Sequence, residues 1–384
     1  MREVVIVEAV RTPVGKRKGA LSQVRPDDLA AKVLKELINR SGVSAGAVQD
    51  VILGCVSQVE EQGVNIARSA ALMAGFPIHV PGTTIDRQCG SGQQAIHFAS
   101  QAILSGDMDI VIAGGVESMT RVPLGSSRQK SDWSEELTSK HEMIHQGLSA
   151  ERMAEKWGFT RLTLDEYSLE SHRRAIHAIK EGRFEREVFP IEVQLEDGSL
   201  TAFKQDEGPR EDTSIDKLGK LRPAFKDDGV IHAGNSSQMS DGAAAMLLMS
   251  KEKAEELGLK PRFRIIARSV VGSDPTFMLT GPVEATKQVL LKAGLTIEDM
   301  DMYEVNEAFA PVPLYWLQET NADPLKLNPN GGAIALGHPL GATGAKLMTT
   351  MIHELERTGG RYGLQAICEG GGMANATIIE RIIE

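Results

Sequence analysis

Two cysteines and a histidine stand out, because each falls where an extended run meets glycines. Cys89 lies in TIDRQCGSGQQA, residues 84–95, where a strand-like run gives way to small residues and then to a helical pattern. That order predicts a thiol at a helix N-terminus, where unpaired N–H groups and the positive end of the dipole favour the thiolate. The glycines beside it would let a bulky electrophile reach the backbone closely. A cysteine packing as a small hydrophobe is the plainer alternative. His338 lies in NGGAIALGHPLGATG, residues 330–344, and the proline after it keeps it out of helical conformation while opening the next helix. Cys368 precedes three glycines in CEGGGMA, at the expected end of a strand, where α/β sheets place their sites. The fingerprint G-x-G-x-x-A also fits Gly90, Gly92 and Ala95. It lies far into the chain without an acid at the ribose position, so dinucleotide binding is a poor reading.

The elements that must position these groups follow an α/β rhythm. Short β-branched runs at 4–7, 50–53 and 109–113 alternate with helical stretches at 27–38 and 94–104, a pattern expected to give much parallel sheet. The rhythm resumes at 263–266, 283–293, 302–305, 344–355 and 364–368. Both ends run a strand, a glycine-rich turn, a helix and a strand ending in glycines, which suggests an internal duplication. The expected organisation is an N-terminal half over 1–119, completed by about 230–260, and a C-terminal half over 261–384. Between them, 120–229 reads as an insertion with polar loops, a charged helix over 164–181 and turns around 206–209. Insertions of that length on a rigid scaffold are commonly binding loops or lids.

The chain resembles the thiolase family. The resemblance rests on DRQCGSGQQA, NEAFA at 306–310, NGGAIALGHPLGATG and CEGGGMA, together with RTPVGK at 11–16 and GNSSQMSDGAAA at 234–245. These motifs run in family order along essentially the whole chain. The resemblance implies an α/β thiolase-like fold, two similar halves in five alternating layers (αβαβα) with an inserted loop domain, in a homodimer or homotetramer. It also implies that Cys89 attacks the keto carbonyl of a 3-ketoacyl-CoA and carries the acyl group. His338 and Asn306 would serve one oxyanion, Asn306 through a water, and the N–H groups of Cys89 and Gly370 a second. Cys368 would move the proton at the α-carbon. CoA would enter as substrate beside Arg210, Ser237 and His145, with Lys220 and Arg222 as weaker candidates. No cofactor and no metal are expected, because the thioester itself acidifies the α-carbon.

Two departures from the family pattern bear on the substrate. Gln93 and Gln94 follow the nucleophile loop, placing polar side chains near the expected acyl site, in a form similar to thiolases associated with steroid side-chain breakdown. Glu369, directly after Cys368, should point to the opposite strand face; beside the thiol it would raise the thiol pKa.

Composition sets the remaining bounds. With 41% hydrophobic and 24% charged residues over 384 positions, the chain can bury a substantial core, and its length favours two structural units. Asp and Glu outnumber Lys and Arg by 52 to 42, a net charge of −10 that opposes non-specific nucleic-acid or anionic-membrane binding. Any anionic ligand must find a local cluster of cations. Three scattered cysteines suggest neither a disulfide framework nor a cysteine zinc site. The first eight residues lack the pattern of a signal peptide, so a cytoplasmic setting is expected. His141, Glu142 and His145 satisfy H-E-x-x-H, with Asp165 as a conceivable third ligand, which makes a zinc peptidase a rival. A condensing enzyme of fatty acid or polyketide synthesis and a non-catalytic acyl-CoA or sterol binder are the others. Cys368 favours the thiolase arrangement over the condensing enzymes.

Overall fold

A computed structural model describes residues 2–128, 131–194 and 198–383. Its principal strands are β1 (Val4–Arg11), β2 (Asp50–Gly54), β3 (Gly82–Ile85), β4 (Ile110–Ser118), β5 (Ser240–Ser250), β6 (Phe263–Gly272), β7 (Met302–Val305), β8 (Tyr362–Glu369) and β9 (Met373–Arg381). They run in the order β7-β8-β9-β6-β1-β5-β4-β2-β3, and the short Gly15–Lys16 strand pairs with β5. Read outward from the centre, β1, β5, β4 and β2 repeat the pattern of β6, β9, β8 and β7. In each half the two inner pairings are antiparallel and the outer one parallel. The sheet is therefore mixed, with three parallel pairings and more antiparallel pairing than the alternating pattern suggests. Alternating strands and helices do not reveal that β5 and β9 enter each half antiparallel to their neighbours.

Within the sheet the halves join where β1 meets β6, pairing Val5 with Arg264 and Ile6 with Phe263. Along β1 the side chains divide with the period of two that a strand imposes, shifted by one residue at the bulge between Ile6 and Glu8. Val5, Val7 and Val10 enter one apolar cluster, and Val4, Ile6 and Ala9 enter another. The first cluster lies under α1 (Pro26–Ser41) and the helix Ile66–Met73. The second surrounds α2 (Ser91–Ser105), which contributes Ala95, Ile96, Ala99 and Ile103. In the insertion, α3 (Gln146–Trp157) and α4 (Arg161–Lys180) precede a hairpin of Ile191–Gln194 and Leu200–Phe203. A third cluster lies under α5 (Gly281–Ala293) and Pro311–Thr320, and α6 (Leu340–Thr358) joins α2 in the central one. Helix, sheet, central helices, sheet and helix thus form the five layers.

The inserted segment is tied to the scaffold by buried charge. The Arg11 guanidinium, wholly buried, binds Glu187 at 2.6 Å and both Asp206 oxygens at 2.8 and 2.9 Å. A buried arginine without such partners would be strongly destabilising. Asp206 also accepts the Val14 N–H at 2.7 Å, so the turn-rich stretch around 206–209 is anchored to the interior.

Two central helices meet at their N-termini through glycine. A Cβ on Gly344 would collide with the backbone of Gln93, and one on Gly92 would press on the Gly341 carbonyl at 2.8 Å. One on Gly341 would meet the Gly54 carbonyl at 2.6 Å. Only glycine permits this approach, and it sets the distance between the turns that open α2 and α6. Gly344→Ala is expected to cost about 1–3 kcal/mol through overpacking. Thermal unfolding of the variant should begin measurably earlier than in the wild type.

Candidate active site

β3 ends at Ile85, and the chain must then reverse into α2. The Asp86 carboxylate accepts the Gln88 N–H at 2.7 Å, Gln88 takes a left-handed φ of 48°, and Gly90 and Ser91 donate back to Arg87 and Gln88. A non-glycine residue in that region costs energy and marks a turn held in place by its surroundings. The result sets Cys89 just ahead of the first turn of α2. His338 follows Gly337, whose φ is 90°, and precedes Pro339, which caps α6 as the sequence predicts. Its backbone N–H donates to the Gln238 carbonyl and the Ser240 hydroxyl, so the ring is held from its own main chain outward. Cys368 is the last residue but one of β8, and Asn306 follows β7 on the neighbouring strand, its N–H bonded to the Ala366 carbonyl.

These turns open onto one cavity of about 1440 Å³. Cys89, His338 and Gly370 line it, as do Arg210, Ser237 and His145, so six of the eight expected site residues share one space. Cys368 and Asn306 lie behind that wall, 1% exposed each. Asn306 Nδ2 stands 3.4 Å from His338 Nε2, and its Oδ1 has no protein partner. A buried amide oxygen left free is a ready acceptor for a water. On one side of the cavity His145 caps α3, accepting the Gly147 N–H, and stacks on Phe225 at 5.1 Å. Lys220 and Arg222 do not reach the lining.

Burial dominates the protonation states. The Cys89 thiol is pushed up to about 12, first by burial and then by the Glu369 carboxylate; the N–H groups of Cys89 and Gly370 pull the other way. The expected thiolate at a helix end is therefore corrected: in the resting site desolvation outweighs the helix terminus, and the sulfur keeps its proton. Those two N–H groups nevertheless address the sulfur. Burial also lowers His338 to about 3, so its ring is neutral. The Thr343 hydroxyl donates to the Pro339 carbonyl at 2.9 Å, so at its 2.6 Å contact with His338 Nδ1 it acts as acceptor. Nδ1 thus carries the hydrogen, and Nε2 is the acceptor, facing the Asn306 amide at 3.4 Å. The Cys368 thiol is raised well above its ordinary value by burial, then by Cys89 and Glu369.

Other expectations change. Gln93 does not face the acyl site: it is wholly buried, and its amide donates to Thr377 at 2.7 Å on β9. Gln94 is likewise turned inward, within 3.4 Å of Asn375. A helix beginning at Ser91 points both toward the sheet, so neither informs the acyl preference. Glu369 is fully buried over the Cα of Gly90, where a Cβ would strike its carboxylate, and neither oxygen has a partner. Despite strand alternation it acts on both thiols, and burial raises its own pKa to about 9. The zinc-peptidase reading fails. Residues 141–145 precede α3 rather than forming a helix, and Glu142 pairs with Arg152 at 2.6 Å. Asp165 is taken by His232 and Arg161. Among the described residues no group of three or more His, Cys, Asp or Glu could hold a metal.

Sequence reasoning missed two buried acids that hold the site together. Glu117 accepts the N–H groups of Val56, Ser57 and Gly341 and the Gln62 amide, pinning a loop of the N-terminal half to the start of α6. Glu307 accepts from Tyr167, Ser171, Asn328 and the Ile334 N–H, joining α4 to the segment that leads to His338. An acid inside an otherwise apolar run, GGVESM or NEAFA, was the available signal.

Comparison with known proteins agrees with this geometry. The family described as thiolase, N-terminal domain, matches residues 4–252, and thiolase, C-terminal domain, matches 259–381. The chain belongs to the thiolase family. It is 50% identical to the steroid 3-ketoacyl-CoA thiolase FadA6 of Mycobacterium tuberculosis, covering 100% of this chain and 95% of that one. It is 43% identical to a 3-ketoacyl-CoA thiolase of Bacillus subtilis, over 99% and 100% of the two chains. The crystal structure of the Bacillus anthracis acetyl-CoA acetyltransferase superposes with a TM-score of 0.92 at 42% identity, covering 100% and 99%. As a thiolase the protein is an acyltransferase that acts on acyl-CoA. No helix among the described residues is long and apolar enough to cross a membrane.

Glu369 makes this thiolase pH-sensitive in a defined direction. A carboxyl at about 9 in the fold and near 4.5 unfolded favours folding below pH 4.5, and that contribution is lost as pH rises through 9. Glu369→Gln should therefore gain thermal stability relative to wild type progressively from pH 5 to about 9. Melting curves of both proteins across that interval check this.

Proposed function

We propose that the protein cleaves 3-ketoacyl-CoA with CoA to give acetyl-CoA and a shortened acyl-CoA, and runs the reverse condensation through the same acyl-Cys89. The observation that carries this reading is the single cavity lined by the Cys89 thiol and a neutral His338 whose Nε2 is the acceptor nitrogen, with the N–H groups of Cys89 and Gly370 directed at the sulfur. Neither thiol nor imidazole is ionised at rest, so proton transfer from Cys89 to Nε2 accompanies attack on the ketone rather than preceding it. Sulfur bonds to the keto carbon, and the bond from that carbon to the α-carbon breaks, leaving its electron pair on the thioester enolate. Cys368 gives its proton to that enolate, releasing acetyl-CoA. The Cys368 thiolate then takes the proton of incoming CoA, whose sulfur displaces Cys89, and His338 returns its proton to the departing sulfur. Two donor sets serve the two charged oxygens. One is His338 Nε2–H with a water on Asn306 Oδ1, and the other is the N–H pair of Cys89 and Gly370.

CoA lies along the side formed by His145, Phe225, Ser237 and Arg210, with Arg210 meeting phosphate. The inserted domain over 120–229 supplies much of that wall. No cofactor takes part, and CoA is a substrate. The acyl group meets Val56, Met119 and Leu340, which pack around Cys89. The cavity volume supports a second reading, a bulky ring-bearing acyl group, in keeping with the steroid thiolase among the relatives. Condensation of two thioesters is usually uphill, so thiolysis in lipid breakdown, in the cytoplasm, is the default direction. Exposed Val64, Leu72, Met73 and Ile78 around the terminal strand β3 support a homodimer or homotetramer.

Brief mixing with acetyl-CoA followed by intact-mass analysis and peptide mapping tests the central step. The wild type should gain one acetyl group on Cys89, and Cys89→Ala none. Cys368→Ala should still acylate while 3-ketoacyl-CoA turnover falls by at least about a hundredfold. CoA binding without any adduct on the wild type would point to the bulkier acyl group or to a non-catalytic binder.

A further inference from the structure

Of three buried acids around the site, two are fully bound. Glu117 and Glu307 spend both oxygens on N–H, amide and hydroxyl donors, whereas neither oxygen of Glu369 has a partner. Neither acyl transfer nor proton transfer uses this third acid. Its carboxyl nevertheless sits at a sensitive place. Glu369 closes β8 between Cys368, which moves the proton, and Gly370, whose N–H addresses the Cys89 sulfur. Its side chain lies over Gly90, the residue after Cys89, and fills the space that a Cβ there would need. The nucleophile turn and the Cys368–Gly370 segment thus bracket the carboxyl, which does not itself line the cavity.

The groups that face it come from three elements. The turn ahead of α2 brings Asp86, Arg87 and Cys89, its own strand brings Cys368, and β9 brings the apolar Met373, paired with it across the strands. Arg87 is the one cation among them, and among the described residues it forms no ion pair with Glu369. Its Nη1 meets the Met373 sulfur at 3.7 Å, and its Nε has no partner. A charge on Glu369 would therefore have no donor to solvate it. Each acyl transfer also brings negative charge close by. One charge develops on the carbonyl oxygen held by the N–H groups of Cys89 and Gly370, and another on the Cys368 sulfur once its proton has gone to the leaving group. Like charges that close in a desolvated site disfavour one another. With its proton in place the carboxyl adds no such penalty, and burial, which raises it to about 9, keeps it in that form at neutral pH.

Building on the thiolase reading, we propose that Glu369 is a positioning residue that gates the reaction: acyl transfer to Cys89 proceeds while the carboxyl over Gly90 carries its proton and stops when that proton is lost. The gate acts through the charge felt by the two thiols and by the oxygen at the N–H pair, not through contact with substrate. Its sign is distinctive. Loss of the Cys89 proton and of the proton on released CoA would both speed transfer as pH rises, whereas loss of the Glu369 proton slows it.

The test is the rate at which acetyl-CoA acetylates Cys89, read by rapid quenching and intact mass from about pH 7 to about pH 10 in the wild type and in Glu369→Gln. Circular dichroism marks the interval in which each protein is folded, and each rate is taken relative to the same protein's rate at neutral pH. The wild-type rate should fall about tenfold between pH 8 and 10 and recover when the pH is returned. In Glu369→Gln that fall should be absent. A merely structural role would slow the variant at every pH and leave the fall in place, so parallel profiles would overturn the proposal. So would a wild-type rate that holds or rises with pH while the adduct still forms, an outcome that leaves the thiolase reading standing. If the variant does not fold, infrared spectra of the wild type decide: a protonated-carboxyl band should be lost with the same midpoint as the acetylation rate, and no such band or a different midpoint would overturn the gate. Absence of acetyl-Cys89 at every pH removes the thiolase reading and this proposal together.

Discussion

The site depends on how closely two helix N-termini can approach inside a closed five-layer stack. Gly92 on α2 and Gly341 and Gly344 on α6 remove the side chains that would hold these helices apart. Because Cys89 and His338 each lie two residues ahead of these helices, that contact also governs the spacing between the thiol and the imidazole. The two halves contribute one helix each, so the duplicated topology is what makes a two-sided site possible. Glu117 reinforces the same contact, binding N–H groups from both halves at the mouth of α6.

Closing the stack around reactive groups has an electrostatic consequence. Desolvation moves thiol and imidazole in opposite directions, to about 12 and about 3, so both rest uncharged. A permanently ionised nucleophile would react indiscriminately with electrophiles; a neutral pair reacts when a carbonyl arrives whose developing charge the prepared N–H groups can stabilise. The buried polar groups nearby follow the same logic. Asn306 Oδ1 is left free next to the imidazole, while Thr343 is fully engaged and fixes the tautomer. Glu369 is the exception, an acid without hydrogen-bond partners that stays neutral by burial and so adds little repulsion to either thiol at physiological pH.

The inserted segment converts this chemistry into recognition. Anchored through Arg11, Glu187 and Asp206, it contributes His145, Arg210 and Phe225 to the wall of the cavity.

The sequence alone determined the reactive residue types, their places at strand and helix ends, the two-half rhythm and the insertion. Those features follow from local rules: glycine and proline at turns, periodicity along helices and strands. Pro339 opening α6 and Cys368 near the end of β8 are local in this sense. Tertiary structure decided what depends on surroundings contributed by distant chain. It turned Gln93 and Gln94 into the sheet, kept the proton on Cys89, buried Glu369 over Gly90 and made the sheet mixed. A pKa is set by solvent exclusion and by charges brought together across hundreds of residues, and strand direction by pairing with partners from elsewhere in the chain. Neither is written in the neighbouring residues, which is why the chemistry could be read from the motifs while its protonation states could not.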